Sequence, residues 1–589
     1  MSLQRQMTIV AQDPAVRRNG KILMARVSIP AEELSAGPIG YRVHVVDYDS
    51  TEQRFHGAHD LPESIDGEPA AWQAGGESIV TDFAFHAQNV YALVMKTLAR
   101  FEFALGRRIG WSFRTHQLKI APHGMLEANA FYSPGDEGLV FGYFEGSNGA
   151  VVHTSLSHDI VVHEATHALL DCLRERYMYP SGPDQAAFHE GFADVVALLS
   201  VFSLPEVVRH LLRPRGARAD AVTIRREFLT ADALRESALF GLADQMGQEM
   251  EGIRGAPLRQ SATLRADEDI LDDPEFQEPH RRGEVFVAAV MNAFIAAWAD
   301  RIRQMGVRGQ TSLPLTSVAE EGADIADTLA TMWIRALDFM PPVHLVFGDA
   351  LSAVITADLD IRPDDSRYNL REHLLDEFAN YGIGPAADTD GGEWKPPPEG
   401  LRYDRVRFDS MRSDKDEVFR FLWDNRKLLE LRDGAFTQVI SVRPSTRVGT
   451  DGFVLHETVS EYYQVARLTP AELKKRKIAV PADYQKALEA TRRANQTPED
   501  DRDNGLQDDG EAVIPIYGGG VLIFDEYGRL KHWVHKDVFG SRQSDRLAYL
   551  WEEGFLVVDR GISKYRPARI STMHLRRAID ARQQTSEGW

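Results

Sequence analysis

The spacing of apolar residues changes along the chain and predicts regions of different secondary structure. Residues 1–80 contain short β-prone runs between Gly, Pro and Asp breaks, which predicts strands. From residue 83, apolar positions recur about every 3.6 residues, and FAFHAQNVYALVMKTLARFEFAL predicts a long helix that ends at Gly106. Two strand-like stretches follow, and helical periodicity then dominates from residue 158 to about residue 382.

A further change in composition separates a C-terminal region. Residues 386–400 combine three prolines with glycines and acidic residues, which is typical of an extended linker, and a mixed α/β pattern resumes beyond them. We therefore predict a β-rich N-terminal segment at 1–80, a core at 81–385 and an accessory α/β domain at 401–589. The predicted fold class of the whole chain is α+β.

Composition and charge narrow the class of protein. Hydrophobic residues make up 43% and charged residues 26%, as in soluble globular proteins. The net charge of −21 argues against nucleic-acid and anionic-membrane binding, which need concentrated Lys and Arg. We find neither a signal-peptide pattern nor a run of about 18 apolar residues. The single cysteine, Cys172, fits a reducing compartment. We expect a cytoplasmic location, with export by another route left open.

The stretch VVHEATHALL places His163, Glu164 and His167 inside an otherwise apolar run. On a helix, residues four apart lie on the same face, so both imidazoles can reach a single metal ion. The HExxH pattern also occurs by chance, and a helix with surface histidines is the alternative interpretation.

A second apolar segment supplies a third metal ligand. AAFHEGFADVVALLSVF, residues 186–202, is apolar nearly all round and predicts a buried helix that carries Glu190 and Asp194 one turn apart. Because a buried carboxylate must be neutralised, paired or bound to metal, we expect a zinc ion held by His163, His167 and Glu190. Asp194 is then expected to accept a hydrogen bond from a ligand imidazole.

This set of ligands predicts hydrolytic chemistry. Two imidazoles and one carboxylate leave one coordination position for a water, whose pKa the zinc lowers toward about 7. Glu164 lies on the same helix without being a ligand, so it can take the proton of that water and pass it to a leaving amine. Hydrolysis of a peptide bond is the leading hypothesis.

An HExxH motif followed by a helix carrying HEGFAD resembles the gluzincin zinc metallopeptidases, and its surroundings are similar to their thermolysin-like branch. The resemblance covers roughly residues 81–300. It implies a two-lobed peptidase core, with an α/β lobe at 81–185 and a helical lobe at 186–385 flanking a cleft. It also implies zinc as cofactor, and a peptide or protein as substrate.

The resemblance extends to residues that would contact the substrate. Thermolysin-like enzymes bind the substrate backbone through an Asn-Ala-aromatic segment on an edge strand, which points to Asn129 and Ala130; an Asn beside a turn is the alternative. A histidine at the start of a later helix binds the oxyanion in that family, and here it is His280, with Glu275 or Glu278 as its orienting carboxylate.

A tyrosine shortly after the HExxH motif is the second oxyanion donor of that family. Tyr177 and Tyr179 both lie close to the expected place, but neither falls at the usual offset. His189 is another departure, because thermolysin-like enzymes carry Asn at that position. It is interpreted either as a substitute partner for the site or as a solvated side chain.

Other features are left open by the sequence. Calcium often binds to thermolysin-like proteins, but the acidic clusters here fit no EF-hand loop. Region 401–589 has no counterpart in that family and is a candidate binding region for a protein partner. His532 and His535 are interpreted as surface residues. The alternative functions are a zinc-retaining scaffold and an aminopeptidase-like hydrolase. Glu164 argues against the scaffold, because a structural ion needs no proton acceptor.

Overall fold

The computed structural model describes residues 3–146, 149–179, 181–213, 222–240, 264–307, 309–449, 452–494, 513–559 and 562–565. Helices and strands are mixed along the chain, so the structure belongs to the predicted α+β class. The division into two thermolysin-like lobes stays a prediction.

The α-helices, in chain order, are α1 (Ala70–Ala74), α2 (Phe83–Leu105), α3 (His158–Leu173), α4 (Pro183–Phe202), α5 (Pro205–Leu211), α6 (Ala231–Leu234), α7 (Pro279–Gln304), α8 (Leu315–Ala336), α9 (Phe347–Ile361), α10 (Leu370–Ala379), α11 (Phe408–Met411), α12 (Lys415–Asp424), α13 (Pro470–Lys475), α14 (Ala482–Ala494) and α15 (Gln543–Glu552).

The strands are β1 (Gln4–Val10), β2 (Arg17–Arg18), β3 (Lys21–Ile22), β4 (Met24–Pro30), β5 (Val43–Val45), β6 (Tyr48–Asp49), β7 (Arg54–Phe55), β8 (Leu118–Met125), β9 (Ala130–Ser133), β10 (Gly138–Glu145), β11 (Val151–His153), β12 (Thr223–Arg225), β13 (Ser312–Pro314), β14 (Thr389–Asp390), β15 (Glu393–Trp394), β16 (Phe436–Val448), β17 (Val454–Leu468), β18 (Ile514–Phe524), β19 (Leu530–Lys536), β20 (Leu556–Asp559) and β21 (Ile562–Tyr565).

The long helix predicted from the apolar periodicity is α2, and its predicted bounds are confirmed. The Asp82 carboxylate accepts hydrogen bonds from the backbone N–H groups of Ala84 and Phe85, which caps the first turn. The helix ends at Gly106, whose φ of 66° lies in the left-handed region that glycine adopts without strain.

The N-terminal segment is β-rich and packs directly against the rest of the chain. Strands β1 and β4 form an antiparallel pair that packs on α2, and β5 pairs in parallel with β8. Apolar residues of the segment, such as Ile9 and Val43, belong to the same hydrophobic core as the central helices.

The sheet beside α3 is built around β10. Strand β8 pairs with one side of β10 in parallel. On the other side, β9 pairs with the first half of β10 and β11 with its second half, both antiparallel. Among the described residues β9 pairs with β10 alone, so its outer edge is the edge of the sheet.

Helices α4 and α7 approach each other closely where two glycines meet. A β-carbon on Gly191 would lie 3.0 Å from the carbonyl oxygen of Gly283, so a larger residue there would push the helices apart. This approach brings the N-terminal end of α7 next to Glu190 in α4.

The C-terminal region contributes an antiparallel sheet, in the order β16-β17-β18-β19, that packs against the helical region. Asp338 lies between Arg107 of the core and Arg447 of β16, with nearest nitrogen to oxygen distances of 2.6 and 2.5 Å. Burial alone would raise the pKa of Asp338, but the two arginines hold it well below its usual range. This buried ionic network joins the two regions.

The predicted linker and His532 lie at the same interface, whereas His535 is partly buried and contacts the Tyr462 hydroxyl of β17 at 2.8 Å. Strands β14 and β15 form a small hairpin within 386–400, and the indole N–H of Trp394 donates to the Phe339 carbonyl at 3.1 Å. His532 is buried and its Nε2 donates to Asp360 Oδ2 at 2.8 Å. The surface prediction for His532 is therefore wrong, because β19 packs on the helical region.

Helix α7 is long and apolar enough to cross a bilayer by length and composition alone, although 78% of its apolar window is buried in the protein. Helices α4 and α5 pass the same test only when taken together across a bend of 84°. A helix inside a large core has the same apolar composition as a membrane span.

Candidate metal centre

Two helices bring His163, His167 and Glu190 together, and we call this group the helix cluster. One turn of α3 separates the two histidines, and their ring centroids are 4.3 Å apart. Glu190 Oε2, from α4, lies 3.7 Å from His163 Nε2 and 3.8 Å from His167 Nε2. All three side chains are buried, and their ligand atoms lie close enough together to hold a metal ion.

Asp194 fixes the orientation of one imidazole. Its Oδ1 accepts a hydrogen bond from His163 Nδ1 at 2.7 Å, which is the contact that the sequence predicts. Because a carboxylate accepts a proton, Nδ1 carries the hydrogen and Nε2 carries the lone pair that faces Glu190. The hydrogen bond therefore prepares His163 to bind an ion.

His189 supports the second imidazole. Its ring is fully buried and stacks on His167, with centroids 4.7 Å apart and an angle of 12° between the planes. The interpretation of His189 as a solvated side chain is therefore wrong. The stacked ring limits the rotation of His167. The only sequence signal for this role of His189 was its place beside Glu190.

Glu164 lies between α3 and the edge strand β9. Its side chain is buried, and Oε2 accepts a hydrogen bond from the Tyr132 backbone N–H at 3.0 Å. The Tyr132 hydroxyl donates to Asp171 Oδ2 at 2.8 Å, so Tyr132 forms two hydrogen bonds with α3. Sequence reasoning missed Tyr132, although it directly follows the Asn-Ala-aromatic segment.

Asn129 and Ala130 lie at the start of this strand. The Asn129 carbonyl accepts from the Gly142 N–H at 2.9 Å, so the backbone of Asn129 faces β10. Backbone groups alternate in direction along a strand, and those of Ala130 and Tyr132 therefore face away from β10. The Ala130 N–H donates to the Asn129 side-chain oxygen at 2.9 Å. The outer edge of β9 thus runs past the Glu164 carboxylate.

His280 approaches the helix cluster from the start of α7. Its Nε2 lies 3.8 Å from Glu190 Oε2, and its Nδ1 donates to Glu278 Oε1 at 2.6 Å. Burial tends to raise the pKa of Glu278, but the hydrogen bond from His280 and the positive charge of that imidazole lower the pKa of Glu278 to about 2. Of the two carboxylates considered, Glu278 orients His280, whereas Glu275 pairs with Arg281 at 2.5 Å.

The two candidate tyrosines lie just after α3. Tyr177 is fully buried, and its hydroxyl donates to the Pro341 carbonyl at 2.7 Å. Burial raises the pKa of Tyr177 above its ordinary value, so the hydroxyl keeps its proton. Tyr179 is partly buried, and its carbonyl accepts from the Gln185 side chain at 3.0 Å. A role for either tyrosine in the chemistry stays a prediction.

The chain matches no model of a known protein family, and a search of curated proteins finds no similar sequence. The chemistry of the centre is therefore inferred from its own residues. They offer two imidazole nitrogens and a carboxylate oxygen to an ion, with a second carboxylate and a strand edge beside them.

Proposed function

We propose that this protein is a zinc-dependent peptidase that hydrolyses peptide bonds with Glu164 as the general base. One observation carries the proposal: the helix cluster converges on one point while Glu164 faces the outer edge of β9. A metal site, a proton acceptor and a place for an extended peptide thus lie side by side.

The donor set fits zinc. Two ligand atoms about 2.0–2.1 Å from a tetrahedral ion lie about 3.4 Å apart, and the distances from Glu190 Oε2 to the two imidazoles are 3.7 and 3.8 Å. Two histidines with one glutamate leave a fourth position open, as in catalytic zinc sites. When bound, zinc supplies a Lewis acid that lowers the pKa of a coordinated water toward about 7.

The edge strand can position the substrate. An extended peptide that adds to the outer edge of β9 would donate main-chain hydrogen bonds to the outward carbonyl groups of Ala130 and Tyr132, because their N–H groups already donate to Asn129 and Glu164. The Asn129 side chain, at the start of the strand, has both a donor and an acceptor for the same purpose. A peptide bound in this way passes beside Glu164, because Tyr132 and Glu164 are already hydrogen-bonded.

Glu164 would move the proton. Its carboxylate would take a proton from the attacking water and deliver it to the nitrogen of the departing amine, so that the amine leaves as a neutral group. The Tyr132 N–H holds that carboxylate at the strand edge, so little reorganisation is needed when the substrate arrives.

His280 would stabilise the negative charge that develops on the carbonyl oxygen. In its imidazolium form His280 donates from both ring nitrogens: Glu278 accepts from Nδ1, and the Nε2–H is directed toward the helix cluster, 3.8 Å from Glu190 Oε2. A donor fixed beforehand in this direction stabilises an oxyanion more than it stabilises the neutral carbonyl, so it favours the transition state.

Zinc content and cleavage of a diverse peptide library, measured on wild type and Glu164→Gln, test this function. The amide keeps the shape and can still accept from Tyr132, so the variant should bind zinc while turnover falls about 10²–10⁴-fold. Glu145→Gln, at the exposed end of β10, is the matched control and should cleave normally. If wild type and Glu164→Gln bind zinc and neither cleaves any peptide, the protein is a scaffold.

A further inference from the structure

A second group of histidines lies away from the HExxH motif, and we call it the three-histidine cluster. It consists of His86 in the first turns of α2, His123 in β8 and His153 at the end of β11. The three residues are 0%, 1% and 8% exposed, and ligand-capable nitrogens of all three lie within 4.8 Å of one another.

The hydrogen bonds of this cluster fix where two protons are. His86 Nε2 lies 2.9 Å from the Ile79 carbonyl oxygen, which can only accept, so Nε2 carries the hydrogen. His123 Nδ1 lies 2.8 Å from Asp47 Oδ1, so that nitrogen also carries the hydrogen. In neutral rings the lone pairs are therefore on His86 Nδ1 and His123 Nε2.

Those two lone pairs face each other. The distance between His86 Nδ1 and His123 Nε2 is 2.7 Å, at which two acceptors repel unless a cation lies between them. Two ligands of a tetrahedral zinc ion lie about 3.4 Å apart, so the two rings would move apart by about 0.7 Å to bind such an ion. The cation is either a proton shared by the two rings or a metal ion. The two cases differ in the part played by His153, because only a metal ion would bind its nitrogen as well.

His153 favours the metal ion. Its Nδ1 is buried and has no hydrogen-bond partner among the described residues. Its ring centroid is 4.7 Å from that of His86 and 5.1 Å from that of His123. A shared proton would leave this third buried nitrogen without a partner, whereas a metal ion would bind it.

We propose that His86, His123 and His153 bind a second divalent transition-metal ion, of the zinc class. Imidazole nitrogens suit zinc and the neighbouring ions copper, nickel and iron. Asp47 accepts from the far nitrogen of His123, which is the usual arrangement behind a ligand histidine. Phe83 stacks on His123 with centroids 4.0 Å apart and closes one side of the cluster.

The ion would stabilise the fold next to the peptidase site. It would join the start of α2, the middle of the main sheet and the end of β11, which leads into α3 through residues 154–156. Within the described residues, Asp47 is the only carboxylate that forms a hydrogen bond with these ligand rings, and His123 contacts both of its oxygens. Three histidines leave a fourth coordination position, but Asp47 is already bonded to His123 and is not available as a proton acceptor there, so we assign the site a structural role.

The test uses the full-length chain with the helix cluster removed by His163→Ala and His167→Ala. After equilibration with zinc and removal of the excess, this double variant should retain about one equivalent of zinc per chain. Adding His153→Ala should abolish this binding, whereas adding His116→Ala, an exposed histidine before β8, should leave it unchanged. X-ray absorption on the double variant should show imidazole nitrogens about 2.0–2.1 Å from zinc.

A folded double variant that takes up no zinc would overturn the inference, and a shared proton would then account for the facing nitrogens. If His153→Ala prevents folding, the absorption spectrum decides, because a shell without imidazole would also overturn it. Zinc retained by the double variant would support the second site even if the wild type cleaves no peptide, so the two proposals can fail separately.

Discussion

The helix cluster and the three-histidine cluster use the same kind of ligand in different surroundings. The helix cluster includes a carboxylate ligand and lies beside Glu164, and the neighbouring side chains of Asp194 and His280 are 32% and 18% exposed. The three-histidine cluster offers only imidazoles, and none of its residues is more than 8% exposed. The ligands of both clusters are buried, but the helix cluster has partly exposed neighbours and the Glu164 carboxylate beside it, which is the base in the proposed function.

The difference shows that histidine content alone does not indicate what a metal site does. A coordination position with a proton acceptor beside it supports hydrolysis, whereas a buried ion without one contributes the free energy of metal binding to folding. Substitutions at one cluster should therefore change a different property from substitutions at the other.

The largest effect is expected from Glu190→Ala. Loss of this ligand removes the ion from the helix cluster and with it several kcal/mol of transition-state stabilisation, so kcat/KM should fall about 10³-fold or more. The zinc bound by the three-histidine cluster should remain. Zinc per chain and kcat/KM measured on the same sample check this, with Glu145→Gln as the control. Undiminished cleavage by the variant would show that the helix cluster is not where hydrolysis occurs.

A smaller loss is expected from His280→Ala. Turnover should fall about 10²–10³-fold, because a donor to the developing oxyanion is removed while all three metal ligands stay. Zinc content should not change, and KM should change little because the interaction forms mainly in the transition state. His116→Ala is the matched control. Normal kcat in the His280 variant would remove this residue from the mechanism.

Asp194 and Asp47 each accept a hydrogen bond from a ligand histidine, one in each cluster. Substitutions at these two carboxylates therefore test whether the clusters bind metal independently. Asp194→Asn should weaken metal binding at the helix cluster about 10–100-fold, and Asp47→Asn should do the same at the three-histidine cluster. Competition with a chromogenic chelator measures both affinities in each variant. If either substitution weakened both sites equally, the clusters would not be independent.

The smallest effect on turnover is expected from Gly191→Ala. The added β-carbon would lie 3.0 Å from the Gly283 carbonyl oxygen and 3.2 Å from Phe286 Cδ1, so α7 must shift by a few tenths of an ångström. We expect a loss of about 1–3 kcal/mol in the free energy of unfolding and a several-fold lower kcat, because His280 moves with α7. In the control, Gly110→Ala, the β-carbon meets no atom within 4 Å.

The helix cluster could be predicted because its information is local. Residues 163 and 167 lie four apart in one helical pattern, and the apolar run around Glu190 predicts a buried helix whose carboxylates need partners. The bounds of α2 could be predicted for a similar reason. Asp82 and Gly106 are local start and stop signals that act whatever the helix packs against.

The three-histidine cluster could not be predicted in this way. His86, His123 and His153 lie in three elements, and only the pairing of the sheet and the packing of α2 bring them together. The hydrogen bond between Glu164 and Tyr132 and the buried position of His532 depend on tertiary packing in the same way. No local spacing encodes such contacts, so the structure was needed to find them.

The most direct measurement is an anomalous difference map at the zinc absorption edge, from crystals of the zinc-loaded wild-type protein. We predict a peak about 2.0–2.2 Å from His163 Nε2, His167 Nε2 and the Glu190 carboxylate, with Glu164 beside it but not bound to it. A map with no peak there, or one in which the Glu190 carboxylate points away from the two imidazoles, would contradict the proposed metal centre.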